Sequence, residues 1–132
     1  IVGPVIGGAQ AAVNEFSKKI GPDAQQGLLL RLAESSAEVD AARTVVLAAA
    51  DILDINPAPA PFMTTRILRD TAFAARLCNQ ATRRLFEVAG GSELHDSRPL
   101  QRIFRDMTAS CAHARLQWEG QALPYANMLV AE

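Results

Sequence analysis

Apolar residues recur at intervals of three and four over most of the chain, the spacing of helices with one buried face. The pattern predicts four helices, over about residues 4–20, 24–54, 61–88 and 98–118. Gly21-Pro22, the proline run at 56–61 and Gly90-Gly91 separate them, because glycine and proline end helices. We find no strand pattern and no internal repeat. The predicted fold class is therefore all-α, a four-helix up-down bundle.

Residues flanking the second and fourth helices give further local predictions. Asp23 and Ser97 are suitable N-caps for these helices, and Pro99 suits a first helical turn. Pro124 is expected to limit the chain after the fourth helix to a short tail. Gly7 and Gly8 weaken the start of the first helix, which indicates either close packing or fraying.

The second helix carries a heptad seam of alternating large and small residues. Its positions are Leu28, Leu32, Ser35, Val39, Ala42, Val46, Ala49 and Leu53. A neighbouring helix can approach closely at the small residues of this seam. At 1.5 Å per residue the helix is roughly 45 Å long, which favours a bundle that extends into an oligomer.

The third helix has two apolar seams. They are Met63, Ile67, Ala74, Leu77, Ala81 and Val88, and Leu68, Ala75, Cys78 and Leu85. A helix that is apolar on two sides is expected to be buried on two sides. In a four-helix domain this predicts a partner subunit.

Composition and charge narrow the class of protein. The 132 residues are 49% apolar and 20% charged, which fits one domain with a sizeable core. The net charge of −1 does not indicate the excess of positive charge that attracts nucleic acid or an anionic membrane. Cys78 and Cys111 lie within helical patterns and are predicted to be free thiols in a reducing compartment, the cytoplasm. Because an apolar stretch that suits a helix starts at Ile1, we expect a piece of a longer protein.

Polar residues of the fourth helix form the one candidate for chemistry. Asp106, Ser110, His113 and Gln117 are spaced 4, 3 and 4 residues apart and are expected to share one helix face. This spacing is typical of a solvated face, although His113 carries a side chain whose proton moves near neutral pH. His95, in the Gly-Gly loop, is interpreted as an exposed loop residue, and the two histidines lack the spacing of metal ligands.

Residues 85–115 resemble the C-terminal helical domain of the acyl-CoA dehydrogenase superfamily. In that family a third helix ends in a Gly-Gly loop and a fourth opens with an Arg-Asp pair, here Gly90-Gly91 and Arg105-Asp106. Residues 33–43, AESSAEVDAAR, are similar to the family's second helix in this domain. The resemblance spans nearly the whole chain. It implies that residues 1–132 are a single helical-bundle domain and a C-terminal fragment of a larger flavoenzyme.

Two branches of the superfamily differ after the Arg-Asp pair. Dehydrogenases carry a catalytic glutamate about two turns later, where Ala114 stands here, and a glutamine three residues before the glycine pair, where Glu87 stands. Flavin-dependent monooxygenases carry a flavin-facing histidine at the place of His113. The resemblance therefore favours the monooxygenase (aromatic hydroxylase) branch.

That branch implies a two-component enzyme. A separate flavin reductase supplies reduced FMN or FAD, and a flavin hydroperoxide hydroxylates an aromatic or heteroaromatic substrate. By the same resemblance, His113 is the catalytic residue. Glu87, Gly90 and Gly91 are expected to approach the flavin of a neighbouring subunit in a homotetramer.

Two other interpretations remain at this point. The first is the C-terminal domain of an acyl-CoA dehydrogenase with a displaced base, since Glu119-Gly120 mimics the glutamate motif farther along the chain. The second is a structural helical oligomerisation domain with no site of its own. Under the monooxygenase interpretation this fragment alone is expected to be inactive, because the family's other domains supply most of the flavin and substrate pocket.

Overall fold

The computed structural model describes residues 2–90 and 98–131, which form five α-helices and one 3-10 turn. The elements are α1 (Val2–Ile20), α2 (Gln26–Ile55), α3 (Pro61–Val88), α4 (Pro99–Cys111), the 3-10 turn (Ala114–Leu116) and α5 (Trp118–Ala131). No strand occurs in this part of the chain, and the predicted all-α bundle is confirmed. Asp23 does not cap α2, because Gln25 occupies the N-cap position. Ser97, the other predicted cap, lies outside the described residues.

The central element of the fold is α3, which packs against α1, α2, α4 and α5. Its buried residues include members of both predicted seams: Ile67, Ala74 and Ala81 from the first, and Ala75, Cys78 and Leu85 from the second. The inference that two apolar seams on α3 require a partner subunit is therefore wrong. Helices of the same chain bury both seams of α3.

One after the other, α4 and α5 run along α3, antiparallel to it. In order along α3, the contacts are Phe86 with Phe104, Ala75 with Cys111, Phe73 with Trp118, and Phe62 with Tyr125. The predicted fourth helix is thus too long, because α4 ends at Cys111. The predicted short tail is also wrong, because Pro124 lies inside α5. Proline has no backbone N–H, so the carbonyl four residues earlier in α5 lacks its helical hydrogen bond. Pro124 is exposed, and water can bind that carbonyl instead.

The inner face of α2 follows the predicted seam where it meets α3. Ser35, Val39, Ala42 and Ala49 are all buried. The Ser35 hydroxyl donates to the Ala81 carbonyl at 3.4 Å and accepts from Arg84 Nη1 at 3.0 Å. Arg84 also pairs with Glu38, with Nη1 and Oε1 2.5 Å apart. These polar contacts fix the position of α2 along α3.

A second face of α2, beside the buried one, carries an apolar stripe that stays largely exposed. We call it the α2 outer stripe, and its residues are Leu30, Ala33, Ala37, Ala41, Val45, Ala48, Ile52 and Ile55. Val45 and Ile52 are half-buried, whereas Leu30 is 63% and Ile55 86% exposed. This helix therefore has one apolar face that is buried within the chain and a second that is not.

The two adjacent glycines of α1 differ in their surroundings. A Cβ added at Gly8 would lie 2.5 Å from Met107 Sδ on α4, whereas a Cβ at Gly7 would meet nothing within 4 Å. Met107 is only 2% exposed, so its thioether has little space to move into. Gly8 therefore reflects close packing between α1 and α4, one of the two alternatives that the sequence left open.

We predict opposite effects for alanine at these two positions. Gly8→Ala should lower the free energy of unfolding by about 1–3 kcal/mol, because the new methyl group overpacks the contact with Met107. Gly7→Ala should raise it by about 0.5–1 kcal/mol, because alanine loses less backbone entropy than glycine in a helix. Urea denaturation measures the free energy of unfolding of both variants. If Gly8→Ala raised it as much as Gly7→Ala, the close contact between Gly8 and Met107 would be contradicted.

Candidate functional site

The junction between α4 and α5 holds His113. The residue is exposed and occupies the N-cap position of the 3-10 turn. Its Nδ1 accepts a hydrogen bond from the backbone N–H of Arg115 at 3.2 Å. Because that N–H can only donate, the neutral ring must carry its proton on Nε2. The ring thus has a structural hydrogen bond on one nitrogen and a free N–H donor on the other.

Two glutamines contact carbonyls on either side of His113: Gln117, which follows the 3-10 turn, and Gln121 in α5. Gln117 Nε2 donates to the Cys111 carbonyl at 3.0 Å, and Gln121 Nε2 donates to the Ala114 carbonyl at 3.4 Å. Leu116, at the end of the 3-10 turn, is 6% exposed and anchors it in the core. The sequence did not predict this arrangement, because two glutamines four residues apart are equally compatible with a continuous helix.

The four polar residues predicted to share one helix face are divided by the break. Asp106 and Ser110 lie on α4, whereas His113 and Gln117 lie beyond its last residue. The prediction of a single polar face is therefore wrong. Its physical reason is that hydrogen bonds at the break replace the continuous helix that the spacing assumed.

A cleft of about 390 Å³ opens beside this junction. Its walls come from α3, the end of α4, the junction and the start of α5, and its lining residues are Ala75, Arg76, Asn79, Thr108, Cys111, Ala112, Leu116, Gln117, Trp118 and Glu119. The Arg76 guanidinium lies 5.7 Å from the centroid of the Trp118 ring. The cleft therefore offers an aromatic face together with charged and amide groups, next to the turn that carries His113.

The other predicted site residues lie near the far end of α3. Glu87 is exposed in its last turn, and Gly90 is exposed with a φ of +97°. Among the described residues, none lies within 4 Å of a Cβ added at Gly90. Gly91 lies outside the described residues, as does His95.

The structure does not bring Glu87 and Gly90 together with His113. His113 follows Cys111, whose Sγ lies 3.8 Å from the Ala75 carbonyl. Glu87 is 12 residues beyond Ala75 on α3, or about 18 Å at 1.5 Å per residue. One chain therefore presents two separate regions rather than one pocket.

Both cysteines are free, with Cys78 buried and Cys111 half-buried. Burial, reinforced by the nearby Cys111 thiol, raises the pKa of Cys78 to about 12. Burial also raises the pKa of Cys111. A neutral, buried thiol is a poor nucleophile, so we assign both residues to packing, Cys78 in the core and Cys111 at the wall of the cleft.

The described residues carry neither a metal-binding cluster nor a membrane-spanning helix. Within residues 2–90 and 98–131, no three His, Cys, Asp or Glu side chains are grouped closely enough to hold a metal ion. Among the helices in that part of the chain, none is both long and apolar enough to cross a membrane.

Comparison with known proteins identifies relatives over almost the whole chain. The family model for the acyl-CoA dehydrogenase C-terminal domain matches residues 1–118. The oxygenase component of p-hydroxyphenylacetate 3-hydroxylase from Acinetobacter baumannii is 30% identical over 95 residues, which are 69% of this chain. The chain spans only 22% of that protein's length.

Solved structures match the fold closely. The 3-HSA hydroxylase from Rhodococcus sp. RHA1 superimposes with a TM-score of 0.88 at 27% identity, over 98% of this chain and 36% of its own. XiaF from Streptomyces sp., solved with FADH2 and glycerol, gives 0.88 at 24% identity, over 97% of this chain and 36% of its own. The HsaA monooxygenase from M. tuberculosis gives 0.85 at 23% identity, over 97% of this chain and 37% of its own. The last two likenesses establish the fold alone.

We predict that the Cys78 thiol makes stability fall at alkaline pH. An unfolded cysteine loses its proton near pH 8.5, as a rough reference value, whereas folded Cys78 keeps it until about pH 12. Between these values unfolding releases a proton, so the free energy of unfolding decreases by up to about 1.4 kcal/mol per pH unit. Urea denaturation from pH 8 to pH 10 should give a shallower decrease for Cys78→Ala than for the unmodified chain. Equal slopes would contradict the raised pKa.

Proposed function

Because this chain belongs to the family of acyl-CoA dehydrogenase C-terminal domains, we propose that it is the C-terminal domain of a two-component, flavin-dependent monooxygenase. The relative at 30% identity is a hydroxylase oxygenase component, and the structure at 27% identity is also a hydroxylase. An oxygenase component works with a separate flavin reductase, which we propose as a partner. By analogy with p-hydroxyphenylacetate, the proposed substrate is an aromatic or heteroaromatic small molecule.

The observation that carries the proposal is the state of His113. It is exposed, its Nδ1 is engaged, and its Nε2–H is available as a donor. Ala112 and Ala114 flank it, so no carboxylate stands at the position where the sequence resemblance places the base of a dehydrogenase. A positioned histidine that can give and regain a proton suits oxygen transfer better than abstraction of a proton from a thioester.

Reduced FMN or FAD is the proposed cofactor, and the chain offers groups that fit it. A bound reduced flavin supplies the electrons that activate molecular oxygen. With a flavin bound nearby, His113 would offer the proton on Nε2, while the Arg115 N–H keeps the ring from turning over. The polar and aromatic cleft beside His113 lies where a planar ligand can be held.

Glu87, Gly90 and Gly91 are proposed to contact a second flavin, bound mainly by a neighbouring subunit. The positive φ of Gly90, at an exposed position, and the exposed carboxylate of Glu87 support this role. Their separation from the His113 junction, about 18 Å along α3, is too large for both regions to contact one isoalloxazine ring. Each chain would then contribute to two flavin sites.

A homotetramer is the proposed assembly. The α2 outer stripe supports it, because a long apolar helix face is expected to be covered. None of the residues of α5 is buried, and Leu123 is 61% exposed, which adds further exposed apolar surface. A helix face of this kind can pack against its own symmetry mate in an isologous contact.

A direct assay tests the function. The full-length protein is supplied with chemically reduced FMN or, separately, FAD in oxygenated buffer containing p-hydroxyphenylacetate, and products are identified by mass spectrometry. A hydroxylated product, or oxygen consumption that depends on the protein, supports a monooxygenase. Anaerobic bleaching of protein-bound oxidised flavin by an acyl-CoA, lost in Glu119→Gln, would support the dehydrogenase alternative instead. Absence of flavin binding would support the remaining interpretation, a structural oligomerisation domain with no site of its own.

We predict that His113→Asn and His113→Ala separate the structural role of His113 from its chemical one. Asparagine keeps an N-cap acceptor, so its stability should stay near that of the native protein, whereas alanine should cost about 1 kcal/mol. Both variants should lose hydroxylation by about 100-fold or more, or release the reducing equivalents as hydrogen peroxide, because neither can exchange a proton. Product and peroxide assays at pH 7 measure this. Native turnover and coupling in His113→Asn would remove His113 from the mechanism.

We predict that the α2 outer stripe is a contact between subunits. In the full-length protein, Ala41→Arg should lower the oligomeric state measured by light scattering, because it places a charge in the middle of the stripe. The matched control is Ala50→Arg, at an exposed position on a different side of the same helix. An unchanged tetramer in Ala41→Arg would show that other surfaces hold the subunits together.

A further inference from the structure

The break that exposes His113 involves an exchange of hydrogen-bond partners. In a continuous helix the Arg115 N–H would donate to the Cys111 carbonyl, four residues earlier. Here it donates to His113 Nδ1 instead. The Cys111 carbonyl receives its hydrogen bond from Gln117 Nε2, at 3.0 Å. The side chain of Gln117 thus replaces the backbone donor that His113 has taken.

Apart from the packing of Leu116 and Trp118, few contacts hold the junction in the conformation that exposes His113. The residues from 112 to 117 include no glycine or proline, and alanine, arginine, leucine and glutamine all favour helix. Residues 112–115 are exposed, and among the junction residues from 112 to 117 only Leu116 is buried. Side-chain hydrogen bonds must therefore contribute much of the preference for the broken form.

We propose that Gln117 is a positioning residue for His113. By supplying a donor to the Cys111 carbonyl, it leaves the Arg115 N–H free to hold Nδ1, and so fixes both the tautomer and the direction of the ring. Gln121 supports the same turn from one helical turn farther along, through the Ala114 carbonyl. This inference rests on the proposed role of His113, but its structural part can be tested separately.

The chemistry of the contact dictates which substitutions matter. The Cys111 carbonyl needs a donor, so Gln117→Met removes the interaction while keeping side-chain length and adding no charge. Gln117→Lys restores a donor on a flexible stem. Gln26→Met, at the exposed start of α2, is the matched control for the loss of a glutamine.

Hydrogen exchange measured by mass spectrometry on the full-length protein without flavin tests the structural part. In Gln117→Met, amides of the segment 112–118 should exchange about three- to tenfold faster, the factor expected for loss of one net hydrogen bond. Gln117→Lys should exchange more slowly than Gln117→Met, and Gln26→Met should match the native protein. Native exchange in Gln117→Met, or equal exchange in the Met and Lys variants, would overturn the proposal.

Peroxide release tests the link to His113. With reduced FMN and oxygen but no organic substrate, Gln117→Met should change the rate of hydrogen peroxide release in the same direction as His113→Ala, and by several-fold. Adding Gln117→Met to His113→Ala should have no further effect, because the residue acts through the histidine. An additive effect would overturn the positioning role. If His113→Ala itself has no effect, the proposed function fails, while the exchange experiment still decides whether Gln117 holds the turn.

Discussion

The burial of α3 by four other helices is the interaction on which the rest of this structure depends. Its contribution to the core consists largely of small residues, Ala72, Ala74, Ala75 and Ala81, so neighbouring helices can approach closely. Larger side chains from those neighbours, including Phe16, Val39 and Met107, complete the core. Because hydrophobic stabilisation scales with apolar area removed from water, covering α3 along its whole length is favourable.

Coverage of α3 explains why two short helices follow it rather than one. With 13 and 14 residues, α4 and α5 together match the 28 residues of α3, which they accompany in the antiparallel direction. The break between them lets Leu116 enter the core and Trp118 reach Phe73. His113 is exposed at this break as a consequence. The candidate site is therefore a product of how the bundle closes, and it needs no strained backbone.

Helices that are bounded by proline or glycine could be predicted from the sequence, but the junction between α4 and α5 could not. The proline run and the glycine pair bound α3, whose predicted limits match the structure, and the heptad seam of α2 is buried at Ser35, Ala42 and Ala49 as expected. Residues 112–117 have helical propensity throughout, so only tertiary packing and the hydrogen bonds of His113 and Gln117 end α4. The spacing of polar residues drew attention to His113. The family resemblance suggested its proposed chemistry. Neither could reveal that its Nδ1 is occupied by a backbone donor.

The geometry of α3 also relates the proposed chemistry to the proposed assembly. A rigid helix separates Glu87 and Gly90 from the junction by about 18 Å, so the two regions cannot both contact one isoalloxazine ring. If each region contacts a different flavin, as proposed, subunits share their sites, and copies of the chain must contact one another. The α2 outer stripe is an apolar surface available for such a contact. On this argument, disrupting the assembly would impair the flavin sites even where His113 and Gln117 remain in place.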